Sequence, residues 1–181
     1  MTQKKKPAIA IGSRVYTPTS GAGILERIVE TEVAGITLQV YQVRILENGA
    51  LHMIPLANLE RSGLRTASSE QVMNLALSTL AGPLSKSRNL VWNRRATEYG
   101  ERINSGDPVL IAQALRDIDG TAREGEMSYT ARELFELGSR RLASELADVF
   151  GWSPDEIARR IEEALAEGRR RQGGRGAEAE G

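Results

Sequence analysis

Cysteine is absent from the 181 residues, which excludes disulfides, thiolate metal sites and cysteine nucleophiles. Histidine occurs once, at His52, and apolar neighbours leave it without the partners a catalytic or metal-binding imidazole needs. Aromatic residues make up only 4% of the chain, so each tryptophan has to be accounted for individually. No run approaches the ~18–20 apolar residues that a membrane span requires. The basic start at Lys4, Lys5 and Lys6 leads into no apolar leader segment. These absences lead to the expectation of a soluble, cytoplasmic protein that uses no metal and no cofactor.

Catalytic signatures are missing as well. Gly21-Ala22-Gly23 is too short for a dinucleotide loop and no helix follows it. There is no phosphate-binding loop, no nucleophile elbow and no zinc-ligand spacing. Carboxylates are frequent but lie on helical faces among arginines, the usual solvated pattern, and no pair stands out as an acid–base couple. The expectation is a protein that is not an enzyme.

What is present is charge, sorted by segment. The formal net charge is zero, yet residues 1–65 carry 8 Lys/Arg against 5 Asp/Glu, and residues 83–103 carry 5 against 2. Residues 104–167 reverse the balance, with 7 basic and 14 acidic side chains. A neutral total therefore leaves room for local contact with nucleic acid while excluding a protein that coats it with its whole surface.

The first third reads as β-structure. Gly12, Pro18, Gly21, Gly23 and Gly35 punctuate strand-forming runs at 13–17, 24–31, 36–46 and 50–55. Asn48-Gly49 between the last two runs is a strong hairpin signal, because both residues accept positive φ. Pro55 ends the last strand, having no N–H to donate. Strands this short over ~65 residues can curl into a small barrel, which manages exposed edges better than a flat sheet. Leu51, Met53 and Pro55 alternate onto one strand face. That face either closes the core or receives another protein by strand addition.

After Arg65 the signature becomes helical. Ser68 or Ser69 caps a helix to about Leu80, with Val72, Leu75 and Leu80 as its apolar side, and Gly82-Pro83 breaks it. A second helix spans residues 88–103. Asp107-Pro108 supplies an N-cap followed by proline at the first helical position, with Val109, Ala112, Leu115 and Ile118 inward. Thr130 and Glu133 have capping-box spacing ahead of a helix to about Val149. Ser153-Pro154-Asp155-Glu156 opens a last helix through Ile157, Ile161 and Leu165. The fold class is α+β: a β domain over 1–65, a compact all-α domain over 66–167, and a Gly/Arg-rich tail over 168–181 expected to be disordered.

Two tryptophans invite different readings. Trp92 lies between Leu90-Val91 and Arg94-Arg95, and helical spacing places Trp92, Arg95 and Tyr99 on one face. On composition alone it is a core residue. The functional alternative is an indole pressed against base pairs while Arg94 and Arg95 hold phosphates. Trp152 precedes a capping box, the place of a hydrophobic staple, and reads as packing.

The ordered motifs carry a resemblance. They run Ile11-Gly12-Ser13-Arg14-Val15-Tyr16-Thr17-Pro18, Gly21 and Gly23, and Thr31-Glu32-Val33-Ala34-Gly35. Arg44-Ile45-Leu46-Glu47-Asn48-Gly49, Met53-Ile54-Pro55 and Gly63-Leu64-Arg65 follow. In the helical part come Trp92-Asn93-Arg94-Arg95, Ser105-Gly106-Asp107, Leu115-Arg116-Asp117, and stretches around 128–133 and 142–145. Over roughly residues 10–150 the chain resembles the CarD-like family (the CdnL type) of bacterial polymerase-binding regulators.

The resemblance implies a Tudor-like β-barrel that docks on the RNA polymerase β subunit. It further implies a helical domain at the upstream edge of the promoter bubble and stabilisation of the open complex. By position, Val43, Met53 and Pro55 would face polymerase. Trp92 would be the minor-groove wedge, with Arg94 and Arg95 as largely sequence-independent DNA contacts. A monomer associated with the nucleoid through polymerase is expected. Thr19 and Ser20 replace the family's usual residues before the glycines, and Ala96 and Thr97 stand where relatives often carry an aromatic or basic residue, which would weaken DNA contact. The competing reading is an adaptor whose β domain docks on polymerase while its helical domain binds protein.

Overall fold

The structure, a computed structural model, describes residues 9–84, 92–122 and 127–177. The chain divides into two compact units, 1–67 and 68–181.

In the first unit, four strands, β1 (Arg14–Thr17), β2 (Gly21–Val33), β3 (Ile36–Ile45) and β4 (Leu51–Pro55), form one antiparallel sheet in chain order. The sheet curls into a half-barrel of Tudor-like form. Alternation drives the curl: Val15, Leu25, Tyr41, Val43 and Ile45 turn to the concave side and form the core with Leu64. One extra residue, Glu26, is inserted where β2 passes from pairing Leu25 with Val43 to pairing Arg27 with Gln42. Such a bulge bends a strand and increases its twist. The β3–β4 hairpin forms where the sequence indicates it, but only Gly49 takes positive φ, at 70°, while the Asn48 side chain accepts from the Ala50 N–H at 2.9 Å. A 3₁₀ turn (Leu56–Asn58) and a one-turn helix α1 (Leu59–Ser62) return the chain to β1, where Tyr16 and Arg65 exchange two backbone hydrogen bonds.

The second unit is helical: α2 (Glu70–Leu80), α3 (Trp92–Asn104), α4 (Pro108–Ala122), α5 (Tyr129–Phe150) and α6 (Pro154–Ala177). Helix α4 is the axis. Its Ile111, Ala112 and Leu115 join Met73, Ala76 and Leu80 of α2, Leu142 and Leu146 of α5, and Ile157, Ile161 and Leu165 of α6. Its Ala114 and Ile118 pack with Tyr99 and Ile103 of α3 and Ala131 of α5. Asp107 caps it, accepting from Val109 N–H at 2.8 Å, and Pro108 occupies the first helical position. Ser153 caps α6, and Trp152 stacks on Phe150 at 4.2 Å with the Arg160 guanidinium 3.9 Å from the indole centre. Among the described residues no helix is long and apolar enough to cross a membrane.

Three expectations change. The buried face of α2 is Met73, Ala76 and Leu80, while Leu75 is 55% exposed; the i, i+3, i+7 row beginning at Met73 meets α4 and leaves Leu75 outside. The N-cap of α5 is Ser128, extended at ψ 158° and accepting from Ala131 N–H, rather than Thr130. The expected disordered tail is instead helical to Ala177. Two contacts hold α6 beyond Glu167: Gly168 lies against the backbone of Leu80 and Ala81, where a Cβ would come 3.0 Å from the Leu80 carbonyl, and Arg169 pairs with Asp119 at 2.8 Å. The end of the tail, 178–181, and the start of the second helix, 88–91, lie outside the described residues.

Gly138 lets α5 approach its neighbours: a Cβ there would sit 3.0 Å from Leu115 Cδ2 and 3.4 Å from Ile103 Cδ1. Gly138→Val is expected to destabilise the helical unit by about 1–3 kcal/mol through overpacking, read as a lowered midpoint in urea unfolding followed by circular dichroism.

Candidate functional site

Two surfaces carry the residues singled out in the sequence. The first is β4. Its inner edge pairs with β3 in the register Arg44↔Leu51, Val43↔His52, Gln42↔Met53, Tyr41↔Ile54 and Val40↔Pro55. Among the described residues no strand lies beyond it. Ile54 packs against the half-barrel core, so alternation turns Leu51, Met53 and Pro55 to the convex face. Met53 is 46% exposed and Leu51 39%, while Pro55 is half-buried. The two faces of this strand are thus settled: Leu51 and Met53 do not close the core.

Val43 differs from its expected place. It is fully buried with Leu25 and Ile45, because it sits in the inner strand β3 with its side chain on the concave side. Its side chain is enclosed in the half-barrel core behind β4.

Beside the apolar pair the convex face is polar and ordered. Arg44 makes a two-pronged contact with Glu26, at 2.9 and 3.2 Å, and donates to the Gly49 carbonyl at 3.0 Å. The Arg27 guanidinium donates to the Gln42 side chain across the strands. The hydrogen bond from Arg44 holds the Glu26 carboxyl below the usual carboxylate range, and Glu26 in turn raises the Arg44 guanidinium. Both groups stay charged around neutral pH, so Leu51 and Met53 form an apolar strip bordered by fixed charges.

The second surface is the start of α3. Trp92 opens this helix, but its side chain lies outside the described residues. Arg94 is exposed and Arg95 half-buried. The difference follows from helical phase: Arg95 shares a face with Tyr99, which is 1% exposed and packs against α4. Burial raises the Tyr99 hydroxyl above the usual tyrosine range, with the Asp117 charge adding to it and Arg95 opposing. Arg94 is the outward arginine of the pair.

Behind α3 lies a charged cluster that the sequence reading passed over. Asp117 of α4 is 3% exposed; its Oδ2 accepts from Arg102 of α3 at 3.0 Å and its Oδ1 from Arg116 at 2.8 and 3.0 Å. Arg102 also reaches Glu98 at 3.7 Å. The available signal was Arg116-Asp117 set between the inward Leu115 and Ile118, a charged pair where helical phase calls for burial. Arg141 of α5 closes the other end of α3, donating to the Ile103 carbonyl at 2.8 Å and the Asn104 side chain at 2.9 Å. Glu145, also buried, accepts from the Ser68 N–H ahead of α2. These carboxylates are consumed by hydrogen bonds that build the helical unit. Among the described residues no three His, Asp or Glu side chains gather as a metal site.

Comparison with known proteins follows the same division. Residues 75–162 match the family model of the CarD C-terminal domain. A relative in Bacillus subtilis (strain 168), described as "Putative transcription factor YdeB", is 24% identical over 147 residues, covering 81% of this chain and 95% of its own length. That alignment is too long to be confined to the helical unit. Residues 75–162, within the helical unit, are thus similar to the CarD C-terminal domain, and they follow a Tudor-like half-barrel in the sequence.

Proposed function

We propose that the protein is a non-catalytic transcription regulator that docks on the RNA polymerase β subunit through β4 and touches promoter DNA at the upstream bubble edge through the start of α3. The observation that carries this reading is β4 itself, an edge strand with an exposed apolar pair, Leu51 and Met53. A strand from a partner adds to such an edge through backbone hydrogen bonds worth about 0.5–1.5 kcal/mol each. Alternate side chains then supply the fit. In the helical unit Arg94 reaches phosphates, Arg95 contributes from its half-buried place, and Trp92 is the wedge. Insertion of an indole costs least where base pairs are already melting, which favours the bubble edge and holds it open. The protein acts as a monomer, and its place on the nucleoid follows from polymerase.

The adaptor reading, in which the helical unit binds protein rather than DNA, draws on the half-burial of Arg95 and on the acidic balance of residues 104–167. Salt separates the two. Binding of the chain to fork DNA through arginine–phosphate contacts weakens steeply as salt rises, whereas the adaptor binds no DNA at any ionic strength.

Met53→Glu places a carboxylate on the docking strip without touching the core. It is expected to remove β-subunit capture in a pull-down while the melting temperature holds; retained capture contradicts docking through this strip. Trp92→Ala is expected to leave polymerase capture intact and shorten the lifetime of open complexes challenged with heparin. Lifetimes equal to wild type remove Trp92 from the wedge role.

A further inference from the structure

Among the described residues, the apolar hold on helix α3 is concentrated in its C-terminal half. Tyr99 and Ile103 pack against both α4 and α5, one turn apart and both in the C-terminal half, away from the end that carries Trp92 and Arg94. Apolar contact confined to one turn aims the far end of a helix less well than directional bonds do, because hydrophobic contact is non-directional. Direction comes from polar contacts: Arg141 of α5 holds the C-terminal end of α3, and an ion cluster holds its flank nearer the start. The buried Asp117 carboxylate has one oxygen on Arg102 of α3 and the other on Arg116 of its own helix. The fork of Arg116 fixes the carboxylate, and the carboxylate fixes the Arg102 guanidinium. Arg102 lies one and two turns from Glu98 and Arg95 along the same side of α3. Buried ion pairs add little net stability, since desolvation offsets their attraction, but they are intolerant of misalignment.

We infer that Asp117 is a positioning residue that sets the orientation of α3, and thereby the direction in which Arg94 and the start of the helix are presented to nucleic acid. The DNA arm of this inference rests on the function proposed above; the orientation of α3 does not. Asp117 touches no DNA. Its loss lowers the fraction of molecules with α3 in the binding orientation, and apparent affinity falls by that fraction.

Amide hydrogen exchange and fork-DNA binding are measured on the full chain for wild type, for Asp117→Asn, and for a variant with Arg102→Met, Asp117→Leu and Arg116→Met together. Replacing such a triad by apolar side chains of similar size preserves or raises stability, so this variant separates folding from orientation. Both variants are expected to exchange faster in residues 92–104 than wild type, with α5 unchanged. The fork-DNA dissociation constant is expected to rise about fivefold if a fifth of the molecules remain oriented, with the apolar variant melting no lower than wild type. Unchanged exchange in α3 overturns the inference, as does an apolar variant that regains wild-type exchange there. Wild-type protein that binds no fork DNA overturns the DNA contact alone, and the exchange data still decide whether Asp117 orients the helix.

Discussion

A four-stranded sheet that curls without closing has two edges, and the β unit is organised by treating them differently. At β1 the edge is engaged: Arg65 returns to pair with Tyr16 through two backbone hydrogen bonds and lays its guanidinium 5.1 Å over the tyrosine ring. At β4 no described strand follows. An edge left open is a liability unless something covers it or uses it. Here the strand also keeps Leu51 and Met53 outward, beside the ordered pairs Glu26–Arg44 and Arg27–Gln42. The concave side has no need of them, because Leu25, Tyr41, Val43 and Ile45 already fill it. The docking by strand addition proposed above would give this open edge a use.

The helical unit meets a different constraint. Helix α4 serves two clusters at once, with Ile111, Ala112 and Leu115 facing one and Ala114 and Ile118 the other. A helix apolar over so much of its circumference leaves little room for charge, yet Arg116 and Asp117 sit within it. Their charges are matched to Arg102 on the helix that opens with Trp92. Charge in the interior of this unit is thus spent where α3 must be aimed, while stability comes from the apolar faces around it.

The legible features were those set by local chemistry. Asn48-Gly49, Asp107-Pro108 and Ser153-Pro154 fix their turns and caps within four residues, and a turn or cap forms at each. The inward row of α4 followed from periodicity, and so did the α+β division into strands and then helices. Where a neighbour decides, the reading failed. Leu75 and Met73 are equally apolar, and only the position of α4 chooses Met73 for the core. Helix α6 outlasts its apolar pattern because Arg169 finds Asp119, fifty residues earlier in the chain. Val43 looked like an edge residue by resemblance, yet the sheet order makes its strand an inner one. The role of Asp117 is not legible from its neighbours in Leu115-Arg116-Asp117, because its partner Arg102 belongs to another helix.

The proposed function joins polymerase, promoter DNA and this protein in a single measurable quantity, the lifetime of the open complex. With purified polymerase on a promoter of the housekeeping sigma factor, addition of the intact chain should lengthen that lifetime in proportion to its occupancy of polymerase. A lifetime unchanged at saturating protein would contradict a regulator that bridges the two.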